Sequence, residues 1–278
     1  MTSPPVVVAV PARLESARLP GKVMADIGGQ PMLRRVLERC AQAKGVAAVV
    51  ACTDSEIVQE AAEGWGFRAL LTPQSCSSGS ERLACVVDEL VAAAGGQAFD
   101  QALGFDQNLA FDQNLAFDQT LVINVQGDQP LLDPAIIEAM VERFTALDRP
   151  AVLTPVYPLA AAKLHDPNVV KVLRAHDGRA ITFSRSALPH VRDLDPDQWT
   201  SRTTFWGHVG LYGYRADVLA GWCDLPVSPL EALEKLEQLR LIEAGIPLLT
   251  YAVAADCFSV DTPEQLEQAR ALVASNPD

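Results

Sequence analysis

The feature that most constrains this chain is the alternation of short, wholly apolar runs with stretches of helical period. Val6-Val7-Val8-Ala9-Val10 is followed by a loop, a helical pattern over residues 31–43 and a second apolar run over 46–51. Asp54-Ser55 then offers an N-cap for a helix over 56–64. A strand with no polar alternation has no face to give to water, so it belongs to a parallel sheet with helices on both sides. The pattern recurs with an apolar run at 69–71, a helix over 80–94, a strand at 121–125 and a helix opened by Asp133 with Pro134 as its first residue. The spacing predicts an α/β fold.

After Pro150 the texture changes. Residues 169–173, the turn His176-Asp177-Gly178 and residues 180–183 read as a hairpin, and 205–214 as a further strand. Two capping boxes, Ser228-Pro-Leu-Glu231 and Thr262-Pro-Glu-Gln265, open the last two helices. The expected organisation is an α/β domain of residues 1–150 and 216–278, with a smaller mixed subdomain, 151–215, inserted into it. Residues 99–119 repeat a hexad: Phe105-Asp-Gln-Asn-Leu-Ala recurs from Phe111 and begins again at Phe117. Successive phenylalanines would fall about 240° apart on a helix and form no stripe, so the repeat is read as a tandem expansion of a loop, with a partner-binding role as the alternative.

A chain of 278 residues has room for one large or two modest domains, each with its own core. Its net charge of −13 argues against a general nucleic-acid binder or a protein drawn to anionic membranes. A local cluster of cations can still bind a small anion, because screening is weak at short range. The six cysteines show no CxxC spacing, and the chain starts without the basic and apolar regions of a secretory leader. The expectation is a soluble cytoplasmic protein with reduced core thiols and no membrane span.

Such a cluster follows the first strand. Pro11-Ala-Arg13-Leu-Glu-Ser16-Ala-Arg18-Leu-Pro-Gly21-Lys22 places Arg13, Arg18 and Lys22 at the C-terminal edge of the sheet, where open α/β sheets bind ligands. The loop is neither a Walker A nor a GxGxxG sequence, yet its forks and ammonium suit a polyphosphate; the alternative is a solvated basic loop. A second strand end, Gln126-Gly127-Asp128-Gln129-Pro130, presents a carboxylate suited to Mg²⁺ beside a phosphate, or else a turn residue. The last candidate strand ends at Ser259-Val-Asp261, where Asp261 reads as an N-cap, a metal ligand or both.

Within 205–214, period-two alternation puts His208 and Tyr212 on one face, flanking Gly210, which leaves room for a ligand; a satisfied core histidine is the competing reading. On a helix over 228–244, Leu230, Leu233, Leu241 and Ala244 share a stripe with Glu237 in its middle and Gln238 at its edge. A carboxylate there is either paired at a subdomain rim or engaged in binding.

Together these segments resemble the 3-deoxy-manno-octulosonate cytidylyltransferases, or CMP-Kdo synthetases, over nearly the whole chain. The resemblance is carried by PARLESARLPGK at 11–22, SGSERLA at 78–84, NVQGDQPLL at 124–132, DPNVVKV at 166–172 and FSR at 183–185. It continues through HVGLYGYR at 208–215, SPLEALEKLEQLR at 228–240 and VDTPEQLE at 260–267. It implies a three-layer, Rossmann-like nucleotidyltransferase fold with a mostly parallel sheet and a smaller mixed α/β subdomain for sugar binding and dimerisation. The implied activity is transfer of CMP from CTP to the anomeric hydroxyl of Kdo, an eight-carbon keto sugar acid, with release of pyrophosphate, for lipopolysaccharide biosynthesis.

On this resemblance, Arg13, Arg18 and Lys22 hold the triphosphate, Ser78 and Gln126 lie near the cytidine, and Asp128 and Asp261 bind Mg²⁺. Arg185, His208, Tyr212, Glu237 and Gln238 contact the sugar acid. Lys22, Asp128 and Asp261 are the implied catalytic residues, and the implied assembly is a homodimer. Two features depart from the family pattern: Gln129 stands where the family usually has an acid, and the hexad repeat has no counterpart. The alternatives are a CMP transferase for another sugar acid, such as sialic acid or an amino-substituted Kdo, and a non-catalytic sugar-nucleotide binding protein.

Overall fold

The computed structural model describes residues 4–15, 19–95 and 117–275. Arg18 and the hexad repeat as far as residue 116 lie outside the described residues. The chain divides into two compact units.

The first unit comprises Met1–Arg149, Gly213–Trp222 and Cys257–Asp278. Its strands run in the order Arg68–Leu71, Ala48–Thr53, Val6–Ala12, Leu121–Asn124 and, from Gly213 onward, the strand Tyr212–Arg215. The first four are mutually parallel, with Val8 opposite Val49 on one side and Ile123 on the other. Val6 to Val10 are fully buried, as their unbroken apolar character requires of a central strand. The helix Met32–Ala41 buries Met32, Leu33, Val36, Leu37 and Cys40, a single helical face, against this sheet. Glu56–Gly64 is helical as expected, and Asp133 caps Pro134–Ala146 by accepting from the Ala135 amide at 3.0 Å. Gly213 lets its strand pass close to that helix: a Cβ there would come within 2.4 Å of the Met140 sulfur.

The second unit comprises Pro150–Tyr212 and Cys223–Asp256. Val152–Pro158 pairs in parallel with Leu248–Ala252 and antiparallel with Trp206–His208, which continues to Lys171–Arg174 and then Ala180–Ser184. The expected hairpin is present, closed by Gly178 in the left-handed region at φ +87°. At Gly207 a Cβ would meet the Tyr157 ring at 2.4 Å, so only glycine fits under that aromatic.

Several expectations are corrected. Residues 223–256 belong to the second unit rather than the first, because Leu248–Ala252 pairs with Val152–Pro158 and the Glu234 carboxylate accepts from Ser184 and the Arg185 amide. The strand expected over 205–214 is two strands, Trp206–His208 and Tyr212–Arg215, interrupted around Gly210. The helix expected over 228–244 is also two, Pro229–Glu234 and Leu239–Glu243, because Lys235 turns left-handed at φ 55°. The stripe containing Glu237 therefore does not exist, and Leu230 and Leu233 are exposed.

The helix over 80–94 likewise divides into Gly79–Ala84 and Val87–Ala94 around Cys85-Val86. Ser259–Asp261 is not a strand; the last strand is Leu248–Ala252. Of the six cysteines, Cys85 and Cys223 are exposed rather than in the core, since both lie at the ends or turns of short helical segments. Among the described residues no helix is long and apolar enough to cross a membrane.

Candidate active site

The C-terminal ends of two neighbouring parallel strands open into a cleft of about 380 Å³ in the first unit, lined by Arg13, Lys22, Gly79, Gln126, Asp128 and Asp261 among others. Parallel strands end together, so the loops that follow them converge on one edge. Gly127 permits that convergence: a Cβ there would lie 2.9 Å from the Pro11 carbonyl oxygen.

Lys22 is delivered by a tight turn. The Gly21 amide donates to the Leu14 carbonyl at 3.1 Å, and Gly21 takes φ 67° before the short 3-10 turn Lys22–Met24. The Lys22 ammonium then donates to Asp128 Oδ2 at 2.7 Å and Asp261 Oδ1 at 2.9 Å. The two carboxylates come from distant parts of the chain. They are joined by the Val260 amide donating to the Asp128 carbonyl at 2.9 Å. The Gln265 side-chain oxygen accepts from the Asp261 and Thr262 amides at 2.8 and 3.1 Å, the reciprocal half of the expected capping box.

Two carboxylates and one ammonium leave this cluster with a net charge of −1. Burial alone would lower the Lys22 pKa, but the Asp128 and Asp261 carboxylates outweigh it and hold the ammonium above its ordinary range. Burial pushes the Asp128 carboxyl above the usual carboxylate range, against the opposing pull of Lys22. Gln129 is buried beside it, with an Oε1 that has no partner among the described residues, and its neutral amide adds no third charge to the cluster.

Arg13 is exposed in the cleft, and Gln126 donates to Asn124 at 3.1 Å while lining the wall. Ser78 is not itself a lining residue. It caps the helix Gly79–Ala84, its hydroxyl accepting from the Glu81 amide at 3.1 Å, and so sets the position of Gly79. Arg82, which the sequence did not single out, also lines the cleft. It is held by Asp54 at 2.8 Å and by the Thr72 hydroxyl. In the sequence Arg82 appears only as one residue of the SGSERLA segment at 78–84.

The five remaining candidates fall in the second unit. His208 is buried, with Nε2 2.8 Å from the Thr154 hydroxyl and its ring between Phe183 and Tyr212 at centroid distances of 5.0 and 5.3 Å. The single Thr154 proton goes to the Leu211 carbonyl at 2.9 Å, so the hydroxyl accepts from His208 and assigns the ring proton to Nε2. Burial lowers the His208 pKa to about 3, keeping the ring neutral. Thr154, a buried hydroxyl in a mostly apolar strand, was a signal that sequence reading passed over.

Arg185 is pinned by backbone. Its Nε donates to the Glu234 carbonyl at 2.7 Å and its Nη1 to that of Pro167 at 3.0 Å. Lys171, fully buried, donates to the carbonyls of Asp166, Val169 and Arg185, which fixes the same corner. Gln238 is buried at the start of the helix Leu239–Glu243, and its Nε2 has no partner among the described residues. Glu237 is half-buried beside it, in a turn rather than on a helical face.

Comparison with known proteins gives a consistent family. A model described as cytidylyltransferase matches residues 7–94 and 108–250. The 3-deoxy-manno-octulosonate cytidylyltransferase of Myxococcus xanthus is 38% identical over 274 residues, covering 98% of each chain. That of Escherichia coli is 37% identical over 96% of each. A solved structure of CMP:2-keto-3-deoxy-manno-octonic acid synthetase complexed with CTP superposes with a TM-score of 0.81 at 35% identity, covering 97% of this chain and 98% of that one. The strand-end cleft, the mostly parallel α/β sheet of the first unit and full-length similarity agree: the chain belongs to the 3-deoxy-manno-octulosonate cytidylyltransferase family.

Proposed function

We propose that this protein transfers CMP from CTP to the anomeric hydroxyl of Kdo and releases pyrophosphate. The observation that carries the reading is Lys22 held between Asp128 and Asp261 at the strand-end cleft, in a chain whose full-length relatives bear that name. The anomeric oxygen attacks the α-phosphorus, a new P–O bond forms, the bond to the β-phosphate oxygen breaks, and the hydroxyl proton leaves to solvent. Such a displacement needs little covalent help and is accelerated by positioning and charge neutralisation.

The chain's own groups fit these tasks. Lys22 and Arg13 neutralise the departing pyrophosphate, with Arg18 beside them in the sequence. Gln126, and Gly79 as placed by Ser78, form the wall against the cytidine. In the second unit, Arg185 offers charge to the sugar carboxylate. His208, Tyr212, Glu237 and Gln238 offer hydrogen bonds to its hydroxyls, and the unpartnered Gln238 Nε2 is a donor waiting for an acceptor.

A divalent cofactor also fits. The carboxylates of Asp128 and Asp261 are hard oxygen donors already gathered around one cation, the Lys22 ammonium, with negative charge left over. Among the described residues no cluster of three or more such side chains could hold a metal, so a bound cation would also need oxygens from substrate phosphate and water. Mg²⁺ bound there would polarise the α-phosphate and acidify the attacking hydroxyl. The homodimer is supported by the apolar surface of Val227, Leu230 and Leu233, which are 67%, 43% and 80% exposed. Consumption of CTP supports a cytoplasmic location.

The test is pyrophosphate release from CTP, ATP, GTP or UTP against Kdo, amino-substituted Kdo and sialic acid, with and without Mg²⁺. Release that requires CTP, Kdo and Mg²⁺ together is the expected result. Robust turnover with sialic acid and none with Kdo would overturn it.

A further inference from the structure

Cys76 and Cys85 bring their sulfurs to 3.8 Å, nine positions apart in the chain. Cys76 is buried and Cys85 is exposed. They bracket the helix Gly79–Ala84: Cys76 lies just before its Ser78 cap, and Cys85 is its C-terminal cap. Gly79 and Arg82, within that bracket, line the cleft. The deeper thiols differ in kind, since burial pushes the pKa of Cys40 up and that of Cys52 up to about 12, which keeps both protonated and inert.

We infer that Cys76 and Cys85 form an oxidisable dithiol whose disulfide alters the wall of the cleft and weakens nucleotide binding. Formation of the bond stands on the sulfur geometry alone, while its effect on CTP rests on the function proposed above. A disulfide requires sulfurs at about 2.0 Å, so the pair must close by roughly 1.8 Å. That movement is shared between side-chain rotation and the segment 76–85, whose Ser78 cap and Arg82 anchors shape the cleft.

The exposed Cys85 reacts first. Its thiolate attacks a peroxide, an S–O bond forms as the O–O bond breaks, and water leaves after protonation. The Cys76 sulfur then attacks the Cys85 sulfenic acid, the S–S bond forms, the S–O bond breaks and a second water leaves. Two thiols are oxidised and one peroxide is reduced to two waters. A dithiol reductant reverses the step.

The reduced full-length protein is treated with hydrogen peroxide, alkylated under denaturing conditions, digested and mapped by mass spectrometry. A Cys76–Cys85 cross-linked peptide is expected, lost on dithiothreitol treatment, absent in Cys85→Ser and retained in Cys223→Ser. Oxidation of Cys85 to sulfinic acid with Cys76 still alkylatable, or pairing of either with another cysteine, would overturn the dithiol. CTP affinity, measured by calorimetry on both forms, should be several-fold weaker after oxidation and recover on reduction. Equal affinity in the two forms, with the bond mapped, overturns the effect on the cleft. Failure of both forms to bind CTP overturns the nucleotide reading and that effect with it, and leaves the disulfide standing.

Discussion

The two units hold their polar groups by opposite means. In the first, the cleft is ionic: an ammonium between two carboxylates, with charge left over and an exposed Arg13 nearby. In the second, three of the five candidate groups are buried and neutral, a histidine kept uncharged, a tyrosine beside it and a glutamine with an unused donor, while Glu237 and Arg185 are partly buried. Even the Arg185 guanidinium there is fixed by backbone carbonyls. On the proposed function, the difference amounts to a division of labour. Phosphoryl transfer needs charge that can respond as bonds break, whereas recognition of a polyol needs donors and acceptors with a fixed orientation.

The largest test of this contrast is at the carboxylates. Asp128→Asn and Asp261→Asn should each lower turnover at limiting Mg²⁺ by about a hundredfold or more, the scale of removing a main electrostatic contact to the transition state. Each should leave the fold intact by circular dichroism. Near-parental activity in either would end the claim that the first unit works by charge.

The second unit should instead respond through orientation. Thr154→Val leaves the His208 Nε2–H buried without an acceptor, which should cost about 1–3 kcal/mol in urea denaturation. It should also raise the KM for Kdo with the KM for CTP unchanged. Thr154→Ser should restore both, and equal damage to both substrates would show a merely structural bond. Glu237→Gln should raise the KM for Kdo by about tenfold, or ~1.4 kcal/mol, again with little change for CTP.

The remaining tests vary pH rather than sequence. Without a metal, burial holds Asp128 above an ordinary carboxylate, so proton and Mg²⁺ compete for it; at limiting Mg²⁺ turnover should fall on the acid side earlier than a carboxyl with a pKa of about 3.9 would allow, and saturating Mg²⁺ should offset that fall. His208 acts in the opposite sense, on stability. Its folded pKa of about 3 lies below the unfolded value of about 6.5, so the unfolded chain takes the proton first. Stability should be lost as pH falls from 6.5 toward 3, a slope that His208→Gln removes. Denaturation midpoints across that range check it, and a histidine step in the activity profile between pH 5 and 8 would break the picture of a neutral second site.

The sequence by itself determined the first unit well. Unbroken apolar strands, caps at Asp133 and Thr262, and cations after the first strand are local signals, written within a few residues of where they act. It also marked Asp128 and Asp261, each after a run read as a strand, although only the run before Asp128 is one. What it could not show was that one lysine holds both, because the bond from Val260 to Asp128 joins segments that only folding brings together.

The second unit was less legible for the same reason. A period of 3.6 extended through Lys235 predicted one helix, and the left-handed turn there moved Glu237 off any helical face. Alternation predicted one strand through Gly210, where the backbone breaks. The assignment of 223–256 was decided by pairing between Leu248–Ala252 and Val152–Pro158, nearly a hundred residues apart. Periodicity reports which residues share a face only while the backbone stays regular. Where it breaks, tertiary hydrogen bonds such as His208 to Thr154 and the Arg185 amide to Glu234 decide which groups meet.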